Sequence, residues 1–255
     1  SYLFWIIMSG KNKQRFGLLG RDIDYSFSRA YFSDKFEREK LLHCTYDNFD
    51  LLNLNNFNET LKTPGLKGIN VTIPYKQEVM PLLDDLDEVS KAIGAVNTIV
   101  FEADGTTKGY NTDHIGFTNS ISPLLHKEIS DALILGTGGA SKAILYSLQK
   151  LGIRTQYVSR KATETAIRYD QVTADCMNTH KLIVNCTPLG TFPKVEEKPN
   201  LDYSLLTSSH VLFDLIYNPI ETAFMKEGAA YGATVSNGLA MLKGQAEASW
   251  KLWNN

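Results

Sequence analysis

Leu133-Ile134-Leu135-Gly136-Thr137-Gly138-Gly139-Ala140-Ser141 is an apolar run that breaks into glycines and then into small residues. The run predicts a buried strand, residues 140–151 predict the helix that follows, and Gly152 is a stop signal near its end. A glycine turn between the two gathers free backbone N–H groups and the positive end of a helix at one point, which suits a dinucleotide pyrophosphate. Gly136-x-Gly138-x-x-Ser141 departs from G-x-G-x-x-G only at its third position, where serine stands for glycine or alanine. A turn serving packing alone is the bland alternative. The strand before it and the helix after it are the context that favours a nucleotide.

Outward from that turn the chain alternates strand and helix. Strand segments at 132–135, 155–158, 181–185, 211–215 and 233–235, alternating with helical ones, predict a parallel sheet with helices on both faces. Upstream, the pattern predicts strands at 16–20, 44–46, 68–73 and 96–102, helices at 29–39 and 77–83, and a turn at 103–105 leading into 107–110. Leu239, Leu242, Ala246 and Trp250 form a helical stripe after the last strand, which predicts a final helix packing back on the first domain. The predicted organisation is α/β with two domains: 1–106 with 239–255, and a dinucleotide-binding domain at 107–238.

Composition narrows the class. With 255 residues, a net charge of -2 and 43% hydrophobic residues, nothing marks a nucleic-acid or membrane-surface partner. Three scattered cysteines and no leader pattern predict a reducing, cytoplasmic setting, and five histidines without HxH or HxxxH spacing predict no metal site. The apolar segment at 2–8 is too short to span a bilayer and reads either as a start-site extension or as an added strand.

Cofactor choice turns on the end of the second strand of the parallel sheet, Val158-Ser159-Arg160-Lys161. An NAD site carries Asp or Glu there to accept from the ribose 2′-OH. Ser159, Arg160 and Lys161 suit a 2′-phosphate instead, and Glu164 falls further on, in a predicted helix. A solvated basic turn is the alternative; the reading favours NADP (NADPH) over NAD.

Four upstream segments carry polar chemistry. In Tyr25-Ser26-Phe27-Ser28, a serine either caps the next helix or faces a ligand. In Asn70-Val71-Thr72-Ile73-Pro74-Tyr75-Lys76, Pro74 predicts a helix start, placing Lys76 in a first turn whose dipole would lower its pKa. Gly94-Ala95-Val96-Asn97-Thr98 puts an amide where a helix gives way to a strand. Gly109-Tyr110-Asn111-Thr112-Asp113 puts a carboxylate where a helix begins, an N-cap position as well as a catalytic one.

Together with N-x-T-P at 185–188, Tyr217-Asn218-Pro219, and Asn237-Gly238-Leu239-Ala240-Met241-Leu242-x-x-Gln245-Ala246, these motifs make the chain resemble the shikimate dehydrogenases over residues 16–253. The resemblance implies an N-terminal α/β substrate domain and a Rossmann-type NADP domain. It further implies reversible NADPH-dependent reduction of 3-dehydroshikimate to shikimate, in chorismate and aromatic amino-acid biosynthesis. It implies Lys76 and Asp113 as the catalytic pair, and Ser26, Ser28, Asn70, Thr72, Asn97, Tyr217 and Gln245 around the substrate. Gly136, Gly138, Gly139, Ala140 and Ser141 would hold the pyrophosphate and Arg160 the 2′-phosphate, with Thr187 and Gly238 by the nicotinamide. A small-molecule partner and a monomer or homodimer are expected. The family pattern has His before the first serine, Pro after the second and a further Arg where Tyr25, Arg29 and Glu164 stand here. Quinate as a second substrate, NAD as cofactor, and a non-catalytic ligand-binding homologue stay open.

Overall fold

The structure, a computed structural model, describes residues 13–255; the apolar segment at 2–8 lies outside them. The chain divides into two compact units, one running up to Thr112 and taking in Ala246–Asn255, the other formed by Asp113–Gln245.

The first unit is built on β1 (Gln14–Gly20), β2 (Cys44–Asp50), β3 (Leu66–Val71), β4 (Asp85–Leu86), β5 (Thr98–Phe101) and β6 (Thr107–Tyr110), in the sheet order β2-β1-β3-β5-β6-β4. β1, next to the edge strand β2, runs parallel to β2 and β3, whereas β5 runs antiparallel to both β3 and β6. Helices α1 (Phe27–Arg38), α2 (Phe57–Leu61) and α3 (Glu88–Ile93) connect these strands. Phe16, Leu18 and Leu19 of β1 are all buried, as a strand covered on both faces requires. Phe32 of α1 stacks on Tyr46 of β2 at 4.7 Å, and Trp253 near the chain end donates to the Ile99 carbonyl at 3.1 Å.

The second unit comprises α4 (Asp113–Ile121), β7 (Asp131–Leu135), α5 (Gly139–Lys150), β8 (Arg154–Ser159), β9 (Ala166–Arg168), α6 (Ala174–Thr179), β10 (Leu182–Asn185), β11 (Val211–Asp214), α7 (Ala223–Ala230) and β12 (Thr234–Ser236). The first part of α8 (Leu239–Trp253) also belongs to it. Its six strands follow the order β12-β11-β10-β7-β8-β9, and every pairing is parallel. Alternate residues of β7 feed two cores, Ala132 and Ile134 on one face, Leu133 and Leu135 on the other. That explains why the strand reads as an unbroken apolar run. From β7 the connections run outward in both directions, through β8 on one side and β10 on the other, so the turn after β7 lies at the switch point of a doubly wound sheet.

Several expectations change. No α-helix occupies 77–83; the segment is a chain of turns ending in the 3-10 helix Met80–Leu82. Pro81 disfavours helical backbone at Met80, and the buried Tyr75 is tied to the Leu51 carbonyl, so the apolar positions serve anchoring rather than a helical stripe. Lys76 therefore sits in a turn, and the helix-dipole argument for it falls. Glu164 lies in the bend before β9, because the chain after the basic turn returns to the sheet edge instead of forming a helix. The expected division at 106/107 moves to 112/113, since β6 pairs with β5 across the first sheet. At the other end, α8 is one continuous helix whose Met241 belongs to a core of the second unit, while Ala246 and Trp253 belong to one of the first.

Candidate active site

In the second unit the glycine turn is shaped by backbone constraints. Gly136 has φ +94°, and a Cβ there would stand 3.1 Å from Thr187 Cγ2 and 3.3 Å from the Cys186 carbonyl. A side chain at this point would be strained twice. Gly138 differs: it precedes α5 in extended backbone, and a Cβ on it would meet nothing within 4 Å. The open space lies over the first turn of a 12-residue helix, where the N–H groups of Gly139 and Ala140 point outward. Ser141 is buried and its hydroxyl donates to the Gly138 carbonyl at 2.6 Å, so the departure from the glycine motif braces the turn itself.

Arg160 and Lys161 are exposed just past the end of β8, and neither forms an ion pair with a carboxylate of the described residues. Ser159 donates its hydroxyl to the Lys161 carbonyl and fixes that corner. An open cradle at a helix N-terminus and two uncommitted cations one strand over fit a dinucleotide bearing a 2′-phosphate.

Beside the turn, at the ends of β10 and β11, lies a buried polar cluster that the sequence reading did not find. Thr187 donates its hydroxyl and its N–H to Asn185 Oδ1 at 2.7 and 3.0 Å. Asn185 Nδ2 donates in turn to Asp214 at 3.1 Å, and the Ile216 N–H and the Thr222 hydroxyl donate to Asp214 at 3.1 and 2.6 Å. Burial nevertheless prevails over these three donors and raises the Asp214 pKa to about 6. Gly238 is fixed by close approach: a Cβ would fall 2.1 Å from the Leu215 carbonyl oxygen. Tyr217 is half-buried, which raises its phenol pKa, and Gln245 is buried on α8.

In the first unit, Ser26 is the N-cap residue of α1, yet its side chain makes no capping bond and reaches Asn48 Oδ1 at 3.3 Å. The simple capping reading fails for it. Ser28, one residue into the helix, is buried and hydrogen-bonded to the Tyr46 hydroxyl. Tyr46 donates to Asn70 Oδ1 at 2.8 Å, and its own pKa is driven up by burial. Asn70 is 3% exposed and Asn97 2%, so both amides belong to the floor of the sheet. Thr72 follows β3, its N–H bonded to the Leu19 carbonyl at 2.9 Å.

Two hydrogen bonds set the backbone around the expected catalytic residues. The Val96 N–H donates to the Lys76 carbonyl at 2.8 Å. The next residue, Asn97, grips Thr112, donating Nδ2 to its hydroxyl at 2.8 Å and accepting from its N–H at 2.7 Å. Asp113 follows Thr112 as the first residue of α4, 7% exposed, inside the helix rather than capping it.

Residues 18–99 match the family described as Shikimate dehydrogenase substrate binding domain. The shikimate dehydrogenase (NADP(+)) of Methanosphaera stadtmanae is 34% identical over 260 residues, covering 93% of this chain and 90% of its own length. A crystal structure of shikimate 5-dehydrogenase from Thermus thermophilus, in complex with NADP(H) and shikimate, superimposes with a TM-score of 0.82 at 28% identity, covering 94% of this chain and 93% of that one. Quinate dehydrogenase from Corynebacterium glutamicum in complex with NAD gives 0.84 at 28% identity, covering 95% and 94%. On this sequence and structural likeness, the chain belongs to the shikimate dehydrogenase family.

Proposed function

We propose that this chain reversibly reduces 3-dehydroshikimate to shikimate with NADPH, using Lys76 and Asp113 as its catalytic pair. One observation carries the assignment of the pair. Consecutive residues, Val96 and Asn97, hold the backbone at Lys76 from one side and at Thr112 from the other, which sets where the Lys76 and Asp113 side chains start.

Bound NADP+ supplies the acceptor for the hydride that leaves the ring carbon. The work of Lys76 is the proton: its amine takes the proton from the hydroxyl being oxidised and returns it to the forming alkoxide in the reverse direction. Asp113 orients that amine and stabilises its charged form. Ser26 and Ser28, set at the start of α1 without capping duty for Ser26, offer hydroxyls to the substrate carboxylate. Thr72, Asn97, Tyr217 and Gln245 complete the set of groups for the ring hydroxyls, and Asn70 supports them from the buried floor. Gly136, Gly138, Gly139 and Ala140 receive the pyrophosphate, Ser159, Arg160 and Lys161 the 2′-phosphate, and Thr187 and Gly238 border the nicotinamide. Among the described residues no helix is long and apolar enough to cross a membrane.

A spectrophotometric assay crossing shikimate and quinate with NADP and NAD tests the reading. Turnover with shikimate and NADP is the expected result. A blank in all four combinations overturns it, and quinate turnover with NAD moves the protein to the quinate branch of the family.

A further inference from the structure

Beneath the segments that carry Lys76 and Asp113 lies a closed ring of buried side chains. Asn97 Nδ2 donates to Thr112 Oγ1 at 2.8 Å, Thr112 Oγ1 meets Ser249 Oγ at 3.1 Å, Ser249 Oγ meets Thr98 Oγ1 at 2.7 Å, and Thr98 Oγ1 donates to Asn97 Oδ1 at 2.9 Å. All four residues are buried, Thr98, Thr112 and Ser249 with no exposed surface at all. The Thr112 N–H, a donor only, meets Asn97 Oδ1 at 2.7 Å and so fixes which end of the amide is oxygen. The rest follows by proton count. Thr98 spends its hydroxyl proton on Asn97, so Ser249 must donate to Thr98, and Thr112 must donate to Ser249. Asn70 Nδ2 feeds the same Ser249 oxygen at 3.0 Å, and the Tyr46 hydroxyl donates to Asn70 Oδ1 at 2.8 Å.

We infer that Ser249 is a positioning residue for the reaction: its hydroxyl closes a one-directional ring that holds the Asn97 amide and the Thr112 backbone, and through Thr112 the start of α4 at Asp113. The inference rests on the proposed role of Asp113. Ser249 stands on α8 one helical turn beyond Gln245, so the final helix supplies a group that acts on residues 97–112 from below. Without that hydroxyl, Thr112 and Asn70 lose an acceptor and Thr98 a donor, in a place water does not reach. Asn97 then keeps the Thr112 N–H on its oxygen, but the Thr112 and Thr98 hydroxyls that flank its amide lose their set direction, and the peptide entering α4 is held less tightly.

The test is a double-mutant cycle on the full chain, Ser249→Ala, Thr98→Val and the pair, read as kcat and KM for shikimate oxidation with thermal melting alongside. Each single variant opens the same ring. A loss in kcat of about tenfold is expected for each, with the KM for NADP unchanged and the double variant no worse than the poorer single one. Ser249→Thr, which keeps a hydroxyl, should recover most of the lost turnover. Unchanged kcat in Ser249→Ala, or losses that multiply in the double variant, overturn the inference. Should either variant melt too low to assay, Ser249→Cys decides, since it keeps the volume but gives a poor donor and acceptor: a loss of kcat with the KM for NADP unchanged supports the ring, and wild-type kcat contradicts it. Failure of the wild-type protein to oxidise shikimate at all would be a separate result, against the function rather than the ring.

Discussion

The two units present their polar groups in opposite ways. In the second, β7 is apolar on both faces, and what it offers at its carboxyl end is backbone: the turn at Gly136 and the first N–H groups of α5. In the first, the strands leading to Lys76 and Asn97 rest on buried amides and hydroxyls, and what they offer is side chains whose orientation depends on that layer. A backbone cradle tolerates most side-chain changes and fails when a Cβ appears in the wrong place. A side-chain site fails when a hidden hydrogen-bond partner goes missing.

Two glycines break the comparison most sharply. Gly238→Ala places a Cβ 2.1 Å from the Leu215 carbonyl oxygen and should cost about 3 kcal/mol or more in urea melts. Gly138→Ala meets nothing within 4 Å, so its melting should be unchanged while the KM for NADP rises. Equal melting for the two variants would contradict the distinction between a packed glycine and an open one.

Asp214 sharpens the comparison from the other side, a fully buried carboxyl at a strand end of the unit whose cradle is backbone. Its pKa of about 6 lies above its unfolded value, so the folded chain holds the proton more tightly. The stability this gives is whole below about pH 4 and is lost as pH rises through 6. Over that window the wild type should lose on the order of 2–3 kcal/mol relative to Asp214→Asn, compared by pH slope rather than absolute stability. Parallel slopes would contradict the assignment.

Next in size is Arg160→Ala. Removing a charge-assisted contact should weaken NADP by about 2 kcal/mol and leave NAD nearly untouched; equal losses would remove Arg160 from the 2′-phosphate. The smallest effect is expected from Ser26→Ala. Because the hydroxyl makes no capping bond and only a long one, 3.3 Å, to Asn48, melting should change little, while the KM for shikimate rises by a factor equivalent to about 1 kcal/mol.

Legibility in the sequence follows the same division. Strands β7, β10 and β11 are buried throughout and read directly as apolar runs, β8 is mostly half-buried with only Val158 buried, and the helix Leu239–Trp253 reads from its stripe. The short strand β9 left no such trace, because an edge strand of three residues has too little periodicity to detect. In the first unit, Pro74 and the apolar Tyr75 and Val79 imitated a helix start, while their burial serves to anchor a run of turns. Thr98 and Thr112 stood inside quoted motifs without a role. Ser249 carried one usable signal, its place a helical turn beyond Gln245, but a serine on an apolar helix face gives no sign of its partners until the sheet is assembled. Asp214 was hidden for the same reason: its partners Asn185, Ile216 and Thr222 come from separate segments.

The central claim is that the Lys76 amine moves the proton of the hydroxyl being oxidised. The direct measurement is steady-state oxidation of shikimate with NADP by Lys76→Ala beside the wild type. A fall in kcat of about 10²–10⁴-fold with little change in the KM for shikimate is the predicted result. Turnover close to that of the wild type would contradict it.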